Sequence, residues 1–135
     1  MYVHRHLVQF YETDMMGIVH HSNYLRIIEE ARVGWAHSVG LIDYNQPHSA
    51  AQFAVLEVRV KHLAPAKFGD VVEVDTQVRR EGIRLMFQYR LRCGQKILAL
   101  AETHHVPLDK NLRPVRLSDT MKSVLEREKW TETWL

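Results

Sequence analysis

Polar and apolar positions along the chain follow two different periods. Tyr24, Ile27, Ile28, Ala31, Trp35 and Val39 recur at helical spacing and predict one long amphipathic helix. Ser22 or Asn23 can cap its start, and Gly40 stands where a C′ glycine would end it. Gly34 in its interior costs about 1 kcal/mol relative to alanine, which points to close packing against a neighbour. Upstream, Val3 to Tyr11 is rich in β-formers and reads as a first strand. A turn-like stretch follows from Glu12 to Ser22, with Gly17 in its middle.

After the helix, Leu41 to Ala51 dissolves into a loop, and the period then shortens to two. Phe53 to His62 reads as a strand, broken by Ala64-Pro65-Ala66 and a turn at Gly69-Asp70. Val72, Val74, Thr76 and Val78 share one face of the next strand, and Glu73, Asp75, Gln77 and Arg79 share the other. Beyond a turn at Glu81-Gly82, Leu85, Phe87, Tyr89 and Leu91 alternate with Arg84, Gln88, Arg90 and Arg92. A turn at Cys93-Gly94-Gln95 leads into a last strand, Lys96 to Val106, ended by Pro107. The tail carries a short amphipathic helix with Ser118 as N-cap and Met121, Val124 and Leu125 on one side. The expected fold class is α+β: an antiparallel sheet of about five strands wrapped around one long helix, in a single domain spanning 1–135.

Composition narrows the function. At 135 residues, 46% hydrophobic and 25% charged, the chain has the make-up of a soluble globular protein rather than a disordered one. A net charge of +2 gives no general case for nucleic acid. No apolar run approaches the roughly 20 residues of a membrane span, so a cytoplasmic location is expected. The single cysteine, Cys93, excludes an internal disulfide and a multi-thiolate zinc site, and nothing beside it activates a thiolate.

The candidate chemistry lies just before the long helix. Asp14 sits in the turn ahead of a helix N-terminus, where unpaired amides and the dipole favour developing negative charge. A carboxylate there can act as general base or as nucleophile, although the same spacing also suits a turn-former or a cap. His21 can orient or carry a proton. The pairs His20-His21 and His104-His105 invite a metal reading, but neighbours on extended backbone point to opposite faces, and no ligand set of familiar spacing completes them. Neither metal nor organic cofactor is expected. Tyr11 and Tyr24 can flank a pocket. Glu29 and Arg32 form an i,i+3 pair, with Glu29 read as a buried support for the active-site turn. Lys61 and Arg84, with Lys67, Arg79 and Arg80, are candidates for binding phosphates.

The string from Phe10 to Tyr24, with Asp14, Gly17, His20-His21 and Asn23-Tyr24 in that order, resembles the signature of the 4-hydroxybenzoyl-CoA thioesterase family of hot-dog proteins. Glu29, Ala31-Arg32, Phe68-Gly69-Asp70 and the Gly82 to Phe87 segment extend the likeness over roughly Leu7 to Pro114. Glu12 departs from it, since aspartate is more usual there. The resemblance is nearest to the bacterial branch associated with the Tol–Pal envelope system. It implies hydrolysis of an acyl-CoA or acyl-carrier thioester with Asp14 and His21 as catalytic residues. The His21 amide would polarise the carbonyl, and Tyr11, Gly17, Tyr24, Lys61 and Arg84 would contact substrate. It also implies a homodimer or homotetramer joined edge to edge, with sites at the interface. Two alternatives stay open: a hydroxyacyl-thioester dehydratase using Glu29, Glu30 and His37, and a non-catalytic module binding acyl thioesters or an envelope partner. Acyl-chain selection would depend on the surroundings of Trp35, Phe53 and Leu56.

Overall fold

The computed structural model describes residues 1–47 and 52–135; the end of the expected 41–51 loop lies outside them. Strand β1 (Tyr2–Leu7) leads through a 3-10 turn (Phe10–Glu12) to helix α1 (His21–Ser38). Then come β2 (Gln52–His62), β3 (Val71–Glu81), β4 (Arg84–Cys93), β5 (Lys96–Leu108) and helix α2 (Asp119–Arg127). All pairings are antiparallel, and the sheet runs β1-β3-β4-β5-β2, leaving β1 and β2 at its edges. This is the expected α+β hot-dog arrangement.

Two boundaries differ from the sequence reading. Strand β1 stops at Leu7, because Phe10–Glu12 coils into a 3-10 turn that carries Tyr11 with it. Strand β5 continues through Pro107 to Leu108. Proline is tolerated there because β4 has run out of partners at His105, leaving no ladder bond on that side for the missing N–H.

Tyr24, Ile27, Ile28, Ala31 and Trp35 of α1 are buried against Val72, Val74 and Val78 of β3 and Leu85, Phe87, Tyr89 and Leu91 of β4. Helix α1 ends as expected. Gly40 adopts φ +80°, and the Gly40 and Leu41 amides donate to the carbonyls of His37 and Ala36. Gly34 is explained by Tyr2 of β1, whose hydroxyl occupies the space a Cβ would need. Ser118 caps α2 as expected, its Oγ accepting from the Met121 amide at 3.2 Å, and Met121, Val124 and Leu125 complete the core.

The opposite sheet face is not simply solvated. Asp75, Gln77, Gln88 and Glu102 are all buried there. The tail beyond α2 folds over Gln77 and Gln88. Asp75 accepts from Arg90 and Arg92, and Glu102 meets Gln88, Arg59 and His104. Gln77 Nε2 donates to the Glu132 carbonyl at 2.7 Å, and the Trp134 amide donates to Gln88 Oε1 at 2.8 Å. The Arg79 and Arg90 guanidiniums stack on Trp130 and Trp134 at 4.3 and 4.7 Å. No helix among the described residues is long and apolar enough to cross a membrane.

Candidate active site

Asp14 opens a tight loop whose ends are joined by an antiparallel bridge between Thr13 and Val19. Gly17 closes the turn at φ +77°, a conformation that glycine adopts without strain, and its amide donates to the Asp14 carbonyl at 3.0 Å. The Asp14 amide donates to the Ile18 carbonyl at 2.8 Å, and Asp14 Oδ1 accepts from the Met16 amide at 2.8 Å. One carboxylate oxygen is therefore tied to backbone. Oδ2 has no hydrogen-bond partner among the described residues.

The loop is fastened to the helix start by a residue whose role was not legible beforehand. Glu12 is 5% exposed and accepts from the Gln9 amide at 2.8 Å and from His6 Nε2 at 2.8 and 3.0 Å. Its carbonyl accepts from the His20 amide at 2.9 Å and from Asn23 Nδ2 at 2.8 Å. Thus the glutamate that departs from the family pattern is a structural anchor. Glu29, read as the supporting carboxylate, is instead exposed and makes no hydrogen bond or ion pair among the described residues. Its expected partner Arg32 turns inward and donates to the Tyr89 hydroxyl at 3.2 Å.

The cap is also different from the one expected. Helix α1 begins at His21, and the N-cap is His20, whose Nδ1 accepts from the Ser22 amide at 3.2 Å. Asn23 is drawn inside by its bond to Glu12. Because His21 already has helical backbone, the His20 and His21 rings do not point apart. They stack at 4.2 Å between centroids. The His21 amide, at the helix N-terminus, has no hydrogen-bond partner among the described residues.

Asp14, His21 and Tyr24 line one cleft of about 380 Å³ with Met16, Ile18, His62 and Leu63. Tyr24 is buried and packs edge-on to His62 at 4.9 Å. Burial pushes its phenol pKa up, a backbone hydrogen bond at Ala66 partly offsetting this. Tyr11 lies outside the cleft and is strongly exposed. Lys61 precedes the cleft residue His62 on β2. Arg84 lies at the other end of the sheet: its neighbour Leu85 pairs with His105, whereas His62 pairs with Ala99. Six strand positions separate those rows, roughly 20 Å at the usual rise.

A second pocket, about 260 Å³ and mostly apolar, lies between the C-terminal half of α1 and the start of β2, lined by Trp35, Leu41, Ile42, Phe53, Phe87 and His105 among others. A buried polar chain runs beneath it. Tyr89 Oη and Thr103 Oγ1 are 2.9 Å apart, and His105 Nε2 lies 2.8 Å from the same Oγ1. Burial, with the positive charge of Arg32 and of His104 nearby, lowers the His105 pKa from 6.5 to about 4. His104 meets Glu102 Oε2 at 2.9 Å, so this pair is engaged in packing and hydrogen bonding. His37, a component of the dehydratase alternative, stacks on Tyr44 at 4.2 Å and has no carboxylate partner among the described residues.

Residues 8–126 match the family model described as the thioesterase-like superfamily. Protein TT1821 of Thermus thermophilus has the same fold with a TM-score of 0.85 at 34% identity, covering 93% of this chain and 98% of its own. A protein of Aquifex aeolicus, AQ1494, superposes equally well (TM-score 0.85, 32% identity, 93% and 99% covered). The acyl-CoA thioesterase YbgC of Haemophilus influenzae is 24% identical over 125 residues, covering 90% of this chain and 92% of that protein. The chain belongs to the thioesterase-like superfamily and is a thioester hydrolase built on the hot-dog fold.

Proposed function

We propose that the protein hydrolyses an acyl-CoA or acyl-carrier thioester at Asp14, on the 4-hydroxybenzoyl-CoA thioesterase side of its superfamily. The observation that carries this reading is that Asp14, with one carboxylate oxygen free of hydrogen bonds, and His21, whose helix-terminal amide is unpaired among the described residues, line the same cleft. The Met16 amide orients the Asp14 carboxylate and leaves Oδ2 to act. The thioester carbonyl would accept from the His21 amide, which meets the developing oxyanion with the positive end of the α1 dipole. Asp14 then delivers water as general base, or attacks the carbonyl carbon to give an anhydride that water opens. Either route expels the thiolate. The His21 ring, stacked on the cap His20, borders the leaving group and serves as a positioning or proton-carrying residue.

We place the working site between two copies. Strand β2 is an edge whose Val55, Leu56 and Val58 are exposed, and Phe10, Tyr11, Met15, Met16 and Phe68 form an exposed apolar fringe around Asp14. An unpaired edge beside such a patch invites a partner. A twofold pairing of β2 with β2 runs the strands antiparallel and sets the His62 end of one against the Gln52 end of the other. The apolar pocket of one subunit would then face Asp14 of its partner and receive the acyl chain. Arg84 would come to the same end, where it and Lys61 could bind CoA phosphates from different subunits.

The test is thiol release detected with DTNB across short, long and aromatic acyl-CoAs and acyl-carrier substrates, for wild type and Asp14→Ala. Loss of a general base or nucleophile costs roughly 10² to 10⁴-fold in kcat. A folded Asp14→Ala protein with unchanged kcat would sink the assignment. Single turnover in ¹⁸O-labelled water identifies direct attack when label enters the Asp14 carboxylate, which happens only if water opens an anhydride at the aspartyl carbon.

A further inference from the structure

On the outer side of α1, away from the Asp14 cleft, two histidines of β1 and one carboxylate converge. His4 and His6 alternate onto the same face of the strand and meet Glu30 of α1. Glu30 Oε2 lies 3.2 Å from His4 Nε2 and 2.9 Å from His6 Nδ1, and the three ligand atoms all fall within 4.8 Å of one another.

The His6 ring lies between two carboxylates. Its Nε2 faces Glu12 at 2.8 Å, while its Nδ1 faces Glu30 at 2.9 Å. A neutral imidazole carries one N–H and can satisfy only one of two carboxylates. With that proton on Nε2, the Nδ1 lone pair faces an anionic oxygen, and either a second proton on Nδ1 or a metal ion bound by both atoms relieves the contact. The buried Glu12 behind Nε2 is the second carboxylate that metal-bound histidines commonly engage, fixing tautomer and ring plane.

We infer that His4 Nε2, His6 Nδ1 and Glu30 Oε2 form a site for a divalent transition cation of the Zn²⁺ class. Two imidazoles and a carboxylate suit that ion. Zinc–ligand bonds of about 2.0–2.2 Å in tetrahedral geometry space donor atoms by roughly 3.3 Å. The two Glu30 separations, 3.2 and 2.9 Å, need to open by only a few tenths of an ångström, and the imidazole nitrogens, within 4.8 Å of each other, are brought together by side-chain rotation. A cleft of about 540 Å³, lined by Tyr2, His4, Arg26, Glu29, Glu30 and Tyr44, opens onto the cluster. It provides access for the ion and room for water at a fourth position. The bound ion would clip edge strand β1 to α1, one strand-turn away from the Glu12 anchor of the catalytic loop.

The inference is independent of the thioesterase reading, and its test reads metal rather than turnover. Chelator-stripped protein is titrated with Zn²⁺ against a chromophoric chelator, and with Co²⁺ followed by visible absorption. We expect one tight equivalent per chain, a Co²⁺ spectrum of low coordination number with nitrogen and oxygen donors, and a rise in Tm on Zn²⁺ addition. His4→Ala and Glu30→Gln, both at partly exposed positions outside the catalytic cleft, should each abolish the tight equivalent while circular dichroism is retained. His21→Ala should leave it intact. Absence of tight binding, or binding that survives His4→Ala and Glu30→Gln but is lost with His21→Ala, overturns the assignment.

Discussion

Acidification tests the buried polar chain beneath the apolar pocket. His105 is 2% exposed, and its pKa is lowered from 6.5 to about 4 by burial, then by the charges of Arg32 and His104. The folded protein keeps this imidazole neutral at a pH where the unfolded chain has already taken up a proton. Its contribution is fully present above pH 6.5 and is lost as the pH falls from 6.5 through about 4. At about 1.36 kcal/mol per unit, the window carries about 3 kcal/mol, a substantial part of the roughly 5–15 kcal/mol that holds a domain folded.

Two other buried acids do not confuse the result. Burial pushes Asp75 upward, but bonds from Arg92 and Arg90 outweigh it and hold the carboxyl below its ordinary value; His104, Gln88 and Arg59 do the same for Glu102. Their stabilisation is present above the ordinary carboxylate pKa and is lost only as pH falls further. The assay is urea unfolding at fixed protein concentration in half-unit steps from about pH 7 to about pH 4, for wild type and His105→Gln. Glutamine keeps an amide donor near Thr103 without a titrating group. Wild type should lose about 2–3 kcal/mol more than the variant across the window. Parallel pH profiles would refute the claim that His105 is held neutral by burial.

Two further outcomes follow from the same geometry. Thr103→Val removes the hydroxyl shared by Tyr89 and His105 and should cost about 1–3 kcal/mol, read as a lowered urea midpoint; an unchanged midpoint would mean the chain stores no stability. Val58→Lys puts a charge on the exposed β2 edge and should give a monomer by light scattering. Thiol release should then fall although Asp14 is untouched, and a persisting dimer would refute edge pairing through β2.

Much of the fold was legible because local pattern and tertiary environment agree. The apolar stripe of α1, the alternation in β3 and β4, and the caps at Gly40 and Ser118 each follow from period or backbone geometry, and the sheet confirms them. The cleft was partly legible: Asp14, His21 and Tyr24 do meet, because a tight turn and one helical turn fix their separation. Cap identity was not: Ser22 and Asn23 are the residues favoured by type, yet His20 caps the helix through its ring Nδ1. Asn23 was taken out of the competition by Glu12, eleven residues upstream.

What the sequence alone determined is the set of elements and the local string around Asp14, because those depend on residues a few positions apart. Only the tertiary structure decided which polar groups are buried. Glu12 rather than Glu29 anchors the loop, the tail covers Gln77 and Gln88, and His4, His6 and Glu30 converge across the gap between β1 and α1. Such partners come from distant parts of the chain. A carboxylate or an imidazole reads the same along a sequence whether it ends in water or facing another charge, and folding alone supplies the difference.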